Sequence, residues 1–186
     1  MAEELNNIIE TEYTGITPET ENRKNAYLDK LLNTYDKIFD MEIIEASDIG
    51  LKAKAHYMEA AKKAFMRAQR HEYVYIFDIN NLDKTAFEKL REYSLNDGLN
   101  TIQPAKGYLS SFITVVILTA SAEQNVKPLI EHHRHMQNLK KQKKGYVNQR
   151  ICAVNFSDNV VIYNKDSKEL GVFLQNFFPE TEAQTE

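Results

Sequence analysis

SSFITVVILT, residues Ser110–Thr119, decides the fold. Its odd and even positions are both apolar, so it is best placed as a central strand covered on both faces. Glu72–Ile79, EYVYIFDI, is a second strand, rich in Tyr, Val and Ile. Upstream, Met41–Ala46 and Leu51–Tyr57 flank a Ser-Asp-Ile-Gly turn. The latter run alternates, with Leu51, Ala53, Ala55 and Tyr57 on one side and Lys52, Lys54 and His56 on the other. That is the period of a strand with one wet face. Residues 58–70 carry the Ala and Lys of a helix but also suit a strand pairing with the next one, and both readings stay open. Downstream, Ile151–Phe156 and Val160–Tyr163 read as a hairpin around Ser-Asp-Asn.

Helices are expected between and around these strands. Thr17 caps and Pro18 opens a first helix over about 19–38, with Tyr27, Leu28, Leu31, Leu32, Tyr35, Ile38 and Phe39 at helical spacing. Leu82, Ala86, Phe87, Leu90 and Tyr93 mark a second, stopped by Gly98. A third runs from the Ser121 or Asn125 region to about Leu139, with Pro128 in its first turn or at a kink. Asp166-x-x-Glu169 resembles a capping box before a last helix with Leu170, Phe173, Leu174 and Phe177 on one face, ended by Pro179. The order gives an α+β fold: a single domain with a mixed or mostly antiparallel sheet flanked by helices.

The formal charge of −4 conceals an uneven distribution. Residues 1–21 hold six acids and residues 180–186 hold three, with no Lys or Arg in either. That leaves 18 acids against 23 bases in a domain spanning 22–179, between two acidic tails. Tails poor in large apolar residues bury little surface and are expected to be flexible. Cys152, the single cysteine, lies in an apolar run and reads as a small buried hydrophobe. The N-terminus lacks a basic-then-apolar leader, and the longest apolar run, near Phe112–Leu118, is too short to span a bilayer. A soluble, cytoplasmic protein without membrane association is expected.

Two segments resemble those of an uncharacterised bacterial protein family known as a domain of unknown function. One is Pro104–Thr114, PAKGYLSSFIT, a loop entering a strand; the other is Gly145-Tyr146 followed by Arg150 and an apolar strand. That family often has His in the place of Tyr108 and Trp in the place of Tyr146. The resemblance extends over about 30–177. It implies an intracellular α+β domain, and it brings no established activity and no catalytic residue.

The densest charge lies in His132–Arg150, HHRHMQNLKKQKKGYVNQR, with six Lys/Arg, three His and no acid. If the third helix reaches Leu139, Lys140–Lys144 form its end and exit loop. Cations there gain about 0.3–1 kcal/mol each from the helix dipole, within the last turn only. That accounts for one or two lysines and leaves the rest facing water or an anion. A second basic segment, residues 51–71, holds Lys52, Lys54, Lys62, Lys63, Arg67 and Arg70 against Glu59 and makes a groove if the two lie side by side. Tyr57, Tyr108 and Tyr146 would then offer stacking surfaces, although tyrosines usually serve as half-buried core.

His132, His133 and His135 lack the Cys pair or HExxH of a zinc site, and His133 fits an apolar helix face better. The strand order invites comparison with metal-dependent nucleases, and Asp40, Glu42, Glu45 and Asp48 cluster in the first hairpin. The Glu-x-Lys motif of that class is nevertheless absent. No catalytic residue, cofactor or metal is assigned. The expected function is non-enzymatic binding of an anionic partner, nucleic acid first. The candidate residues are Arg134, Lys140, Lys141, Lys143, Lys144, Arg150, Lys52 and Lys54, acting by charge neutralisation. The acidic tails are expected to compete for that surface. The alternative is an interaction or regulatory module docking an acidic protein.

Overall fold

A computed structural model describes residues 16–44, 47–63, 66–139 and 145–178. Helix α1 (Pro18–Tyr35) leads into strands β1 (Asp40–Ile43), β2 (Leu51–Lys63) and β3 (Met66–Leu82). Helix α2 (Lys84–Thr101) then leads to β4 (Tyr108–Ala122), and α3 (Val126–Glu131) to β5 (Met136–Asn138) and β6 (Tyr146–Asn155). β7 (Val160–Tyr163) and α4 (Lys168–Gln175) complete the order, so the chain is α+β with one mixed seven-stranded sheet. Among the described residues no helix is long and apolar enough to cross a membrane.

The sheet runs β1-β2-β3-β4-β6-β5, with β7 also on β6. β1, β2 and β3 form an antiparallel meander, whereas β3, β4 and β6 are parallel. Parallel neighbours need crossovers, which α2 and α3 supply on one face. There Phe87, Leu90, Val126 and Ile130 pack on Phe77, Val115, Ile117 and Ile151. On the other face Tyr27, Leu28 and Leu31 of α1 and Leu174 of α4 pack on Val74, Ile76, Val116 and Cys152. β4 is the doubly covered central strand that its composition requires.

Thr17 caps α1, its Oγ1 accepting from Thr20 N. Glu19 and Glu21 lie in the first turn, so the expected boundary between tail and domain at 21/22 falls inside this helix. Residues 1–15 and 179–186, most of the expected tails, lie outside the described residues. Tyr35 O accepts from both Ile38 N and Phe39 N, closing α1 three residues before the expected end. Lys24, 2 % exposed, anchors the helix to β3: its Nζ lies 2.8 Å from Asp78 and donates to Asn80 Oδ1 at 3.2 Å.

The open reading of residues 58–70 resolves to strand at 58–63 and 66–70, where β2 and β3 stay paired from His56↔Tyr73 out to Lys63↔Met66. Several other local expectations are corrected. Gly98 does not stop α2 but lies within it, because its missing Cβ admits Ile113; an added Cβ would come within 2.7 Å of Ile113 Cδ1. The third helix ends at Glu131, not near Leu139. His133 N donates to Ile130 O, Arg134 Nη1 donates to the carbonyls of Glu131 and His133, and β6 then captures residues 136–138 as an edge strand. The Asp166–Glu169 capping box is replaced by a 3-10 turn, with Ser167 Oγ bonded to Asn164 Oδ1.

Asn164 has a particular place. β5 pairs with residues 146–148 of β6 and β7 with residues 152–155, leaving a gap on that edge. Asn164 fills it: Ile151 N donates to its Oδ1, and its Nδ2 donates to Gln149 O and His133 O.

Two stability predictions follow from this packing. Gly98→Val is expected to destabilise by about 1–3 kcal/mol despite the higher helix propensity of the new residue, through overpacking on Ile113. Part of that loss should return in the Gly98→Val/Ile113→Val double variant, as read from urea midpoints. Asn164→Ala should cost about 3 kcal/mol, since it strands buried backbone groups of Gln149 and Ile151. A loss near that of exposed Asp166→Ala would show that Asn164 does not bridge the gap.

Candidate functional site

The amino-terminal ends of β4 and β6 meet closely. Gly145 precedes β6 with φ +134°, and a Cβ there would sit 2.5 Å from the Tyr108 ring. Tyr108 Oη donates to Ser111 Oγ at 2.8 Å and lies 3.4 Å from Tyr146 O. The two segments that carry the family resemblance are therefore packed against each other. Tyr108 is 6 % exposed, so it is a packing residue and no open stacking surface. Tyr57 stacks at a tilt on Phe39, and Tyr146 meets Phe112 edge-on.

The face that carries α2 presents a row of near-parallel rings across β2, β3 and β4. His56 lies over Tyr73 at 4.6 Å, and His71 lies 5.9 Å from Tyr108. His56 Nε2 and His71 Nδ1 share a hydrogen bond of 3.1 Å. Burial first, then the neighbouring His56, lowers the His71 pKa. Beside the row is a cleft of about 440 Å³ lined by Asp40, Glu42, Lys54, His56, Tyr73 and Asp97. Lys54 Nζ and Tyr75 Oη both donate to Asp97 Oδ2, at 3.0 and 2.8 Å. Burial works against the Lys54 charge, but the bond and charge of Asp97 outweigh it and raise the Lys54 pKa.

On the opposite face Arg150 lies with its guanidinium carbon 3.5 Å from the centre of the Phe112 ring and 3.6 Å from Glu72 Oε1 through Nη1. Thr114 Oγ1 donates to the same carboxylate oxygen at 2.7 Å. Ser110 Oγ, Asn148 Oδ1 and Arg150 Nε are buried nearby without a hydrogen-bond partner.

The sequence candidates divide accordingly. Arg150 and Lys54 are held by Glu72 and Asp97 on opposite faces. Lys52 does not share the Lys54 side as its alternation suggested. A bulge between Leu51 and Ala53 sends it toward Asp78, at 3.9 Å, the carboxylate that Lys24 engages. Arg134 is exposed, and its Nη1 closes the α3 terminus. Lys140, Lys141, Lys143 and Lys144 lie outside the described residues. The hairpin carboxylates separate as well: Asp40 and Glu42 line the cleft beside His56, whereas Asp48 lines another with Gly50 and Asp78. Glu45 lies outside the described residues.

The adjacent histidines have separate structural tasks. His132 Nδ1 donates to Pro128 O, and His133 Nε2 donates to Gln149 Oε1. Gln149, wholly buried, donates in turn to Arg91 O and Ser94 Oγ. Sequence reasoning missed His71, Tyr73, Glu72 and Asp97. The one available signal was that His71, Tyr73 and Tyr75 recur at strand spacing beside His56.

The model of a family described as a domain of unknown function (DUF8052) matches residues 23–176. The chain belongs to this DUF8052 family. No curated protein and no solved structure matches it. The match spans the whole sheet and every helix except the start of α1 before residue 23, so the described fold is that of the DUF8052 domain in this chain.

His133 yields a pH prediction. Burial first, then Arg91, lowers its pKa from 6.5 to about 4, although the Gln149 bond opposes the shift. A depressed folded pKa means that the unfolded chain takes up the proton first. The contribution of His133 is therefore complete above pH 6.5 and is lost as pH falls toward 4. The wild-type urea midpoint should drop more steeply across that window than that of His133→Gln; parallel profiles would contradict the assignment.

Proposed function

We propose that this domain is a non-enzymatic module that binds an anionic partner, nucleic acid first, at the end of the sheet where β4 and β6 begin. One juxtaposition supports the reading. Arg70 pairs in register with Ser110, and Ser110 with Tyr146, so the two basic segments reach the same end of the sheet two strand spacings apart, or about 10 Å. Exposed Lys106 lies in the turn between them, where Gln69 N donates to Gly107 O. The segments thus flank β4 instead of lying side by side, and the contact surface is a basic rim. Arg150 and Lys54, whose charges Glu72 and Asp97 already meet, take a supporting part, and exposed Arg70, Lys106 and Arg134 make the first contacts. Phosphates suit such a rim because each neutralised charge releases a counterion, whatever the sequence.

A protein partner is the second reading. β1 pairs only with residues 53–56 of β2, so among the described residues no strand covers the outer edge of β2 beyond Tyr57. Such an edge can accept an added strand.

The test is binding of the full chain to heterogeneous single- and double-stranded DNA and RNA across a salt series. Affinity should fall steeply with salt, and Arg70→Glu/Lys106→Glu should weaken binding to all sequences alike and flatten the salt slope by about 0.7–0.9 per lost phosphate contact. No binding at low salt would overturn the reading and leave the protein partner.

A further inference from the structure

Next to the basic rim the sheet has a polar and aromatic face of its own. Cross-strand register sets Tyr57, Glu72, Phe112 and Asn148 in one row over β2, β3, β4 and β6. Glu59, Arg70, Ser110 and Tyr146 form the next row toward the rim. Strand alternation places both rows on the face that carries α1, since Glu72, Phe112 and Asn148 share the parity of Val74, Val116 and Cys152. Among the described residues the buried cluster beneath α1 and α4 includes Val74, Val116 and Cys152 but no member of the two rows. Tyr57 is 40 % exposed, and Phe112, Tyr146 and Asn148 are half-buried.

We infer that this face takes the unpaired bases of a single-stranded nucleic acid, whose phosphates follow the rim at Arg70 and Lys106. The inference rests on the anionic-partner reading and narrows it to one class of strand. Planar surfaces come first. The Arg150 guanidinium carbon sits 3.5 Å from the centre of the Phe112 ring while 28 % of the side chain stays exposed. Tyr146 stands edge-on at 6.4 Å from Phe112, and Tyr57 lies two strands, or about 10 Å, away. Rings and guanidinium planes are both surfaces on which unpaired bases stack. Hydrogen bonding points the same way. Ser110 Oγ, Asn148 Oδ1 and Arg150 Nε are buried without a partner, and Ser110 has no exposed surface. Buried polar groups are nearly always bonded, so an unmet hydroxyl, amide oxygen and guanidinium N–H in neighbouring positions suit a ligand that offers donors and acceptors together. A base edge does so, and the hydroxyl and amide turn about single bonds to meet it. Charge then fixes the orientation. Arg70 and Lys106 are exposed at the rim, whereas Glu72, 24 % exposed, stands further in. That carboxylate repels a phosphate but accepts from a base amino group. A duplex keeps its bases stacked inside and brings only phosphates to the face, where Glu59 and Glu72 oppose them.

The test is fluorescence anisotropy of labelled oligo(dT), oligo(U) and an oligo(dA)·oligo(dT) duplex of equal length, titrated with the full chain across a salt series. The single strands should bind more tightly than the duplex at every salt concentration. Tyr57→Ala and Tyr146→Leu should each weaken single-strand binding by about 5–150-fold, the worth of one base stack, with the salt slope unchanged because stacking releases no counterion. Arg150→Lys keeps the charge, loses the planar surface, and should weaken single-strand binding with little effect on the duplex. Thermal unfolding of each variant separates lost binding from lost folding, and the exposed Tyr57 keeps the test open if Tyr146→Leu fails to fold. Duplex binding as tight as single-strand binding, or single-strand binding untouched by Tyr57→Ala and Arg150→Lys, would overturn the base-stacking face and leave the contact at the rim. Self-association that Tyr57→Ala abolishes would assign the face to a second copy and overturn it as well. Absence of binding to every probe at low salt would overturn the anionic-partner reading itself.

Discussion

Burial of β4 on both faces is the constraint on which the rest depends. Ile113, Val115, Val116, Ile117 and Leu118 have no exposed surface, and full burial of such side chains contributes about 1.5–3 kcal/mol each. That contribution requires cover above and below. Because β3, β4 and β6 are parallel, the connections between them must cross the sheet, and they bring α2 and α3 to one face. The other face is left to α1 and α4, from the two ends of the described chain. Lys24 then acquires a structural task. Its buried ammonium, held by Asp78 and Asn80, ties α1 to the far end of β3, and without those partners the charge would be too costly to bury.

β6 poses a different problem, because its outer edge is closed in two pieces. β5 and β7 each pair with part of it, and the backbone groups between them must find partners inside the protein. Asn164 supplies both a donor and an acceptor there, as a strand residue would. Gln149, one position away on β6, extends the arrangement to Ser94 and Arg91 of α2 and to His133. One polar network thus locks the segment after α3 into place. Its histidine is chemically committed to the fold.

How far the sequence was legible depended on whether local chemistry agreed with tertiary context. Helix α1, the double burial of β4 and the β6–β7 hairpin were readable, because cap, periodicity and burial all point the same way in each. Gly98 misled because its purpose is close approach to Ile113, fifteen residues on, and not termination. Residues 132–139 misled because pairing with β6 overrides a helical pattern that had only two turns of support. The ambiguity of 58–70 was real: Ala and Lys favour helix weakly, and pairing with β3 outweighs them. The His56–His71 pair depends on the register of that hairpin. It stayed invisible until the register was known.

The charge pattern shows the same limit from the other side. Residues 132–150 contain no acid, and so their bases look unmet when the sequence is scanned in a window. The sheet supplies what the window lacks. Arg150 finds Glu72 from two strands away, 78 positions earlier, and Lys54 finds Asp97 from a helix 43 positions later. A run of like charges therefore measures local repulsion in the unfolded chain better than it measures free charge on the folded surface. Here Lys54 and Arg150 on the sheet faces find carboxylates, whereas Arg70 and Lys106, where β3 and β4 begin to pair, remain exposed. The proposed anion contact consequently moves from the strand residues to the rim, where the two basic segments reach the same end of the sheet without sharing a face.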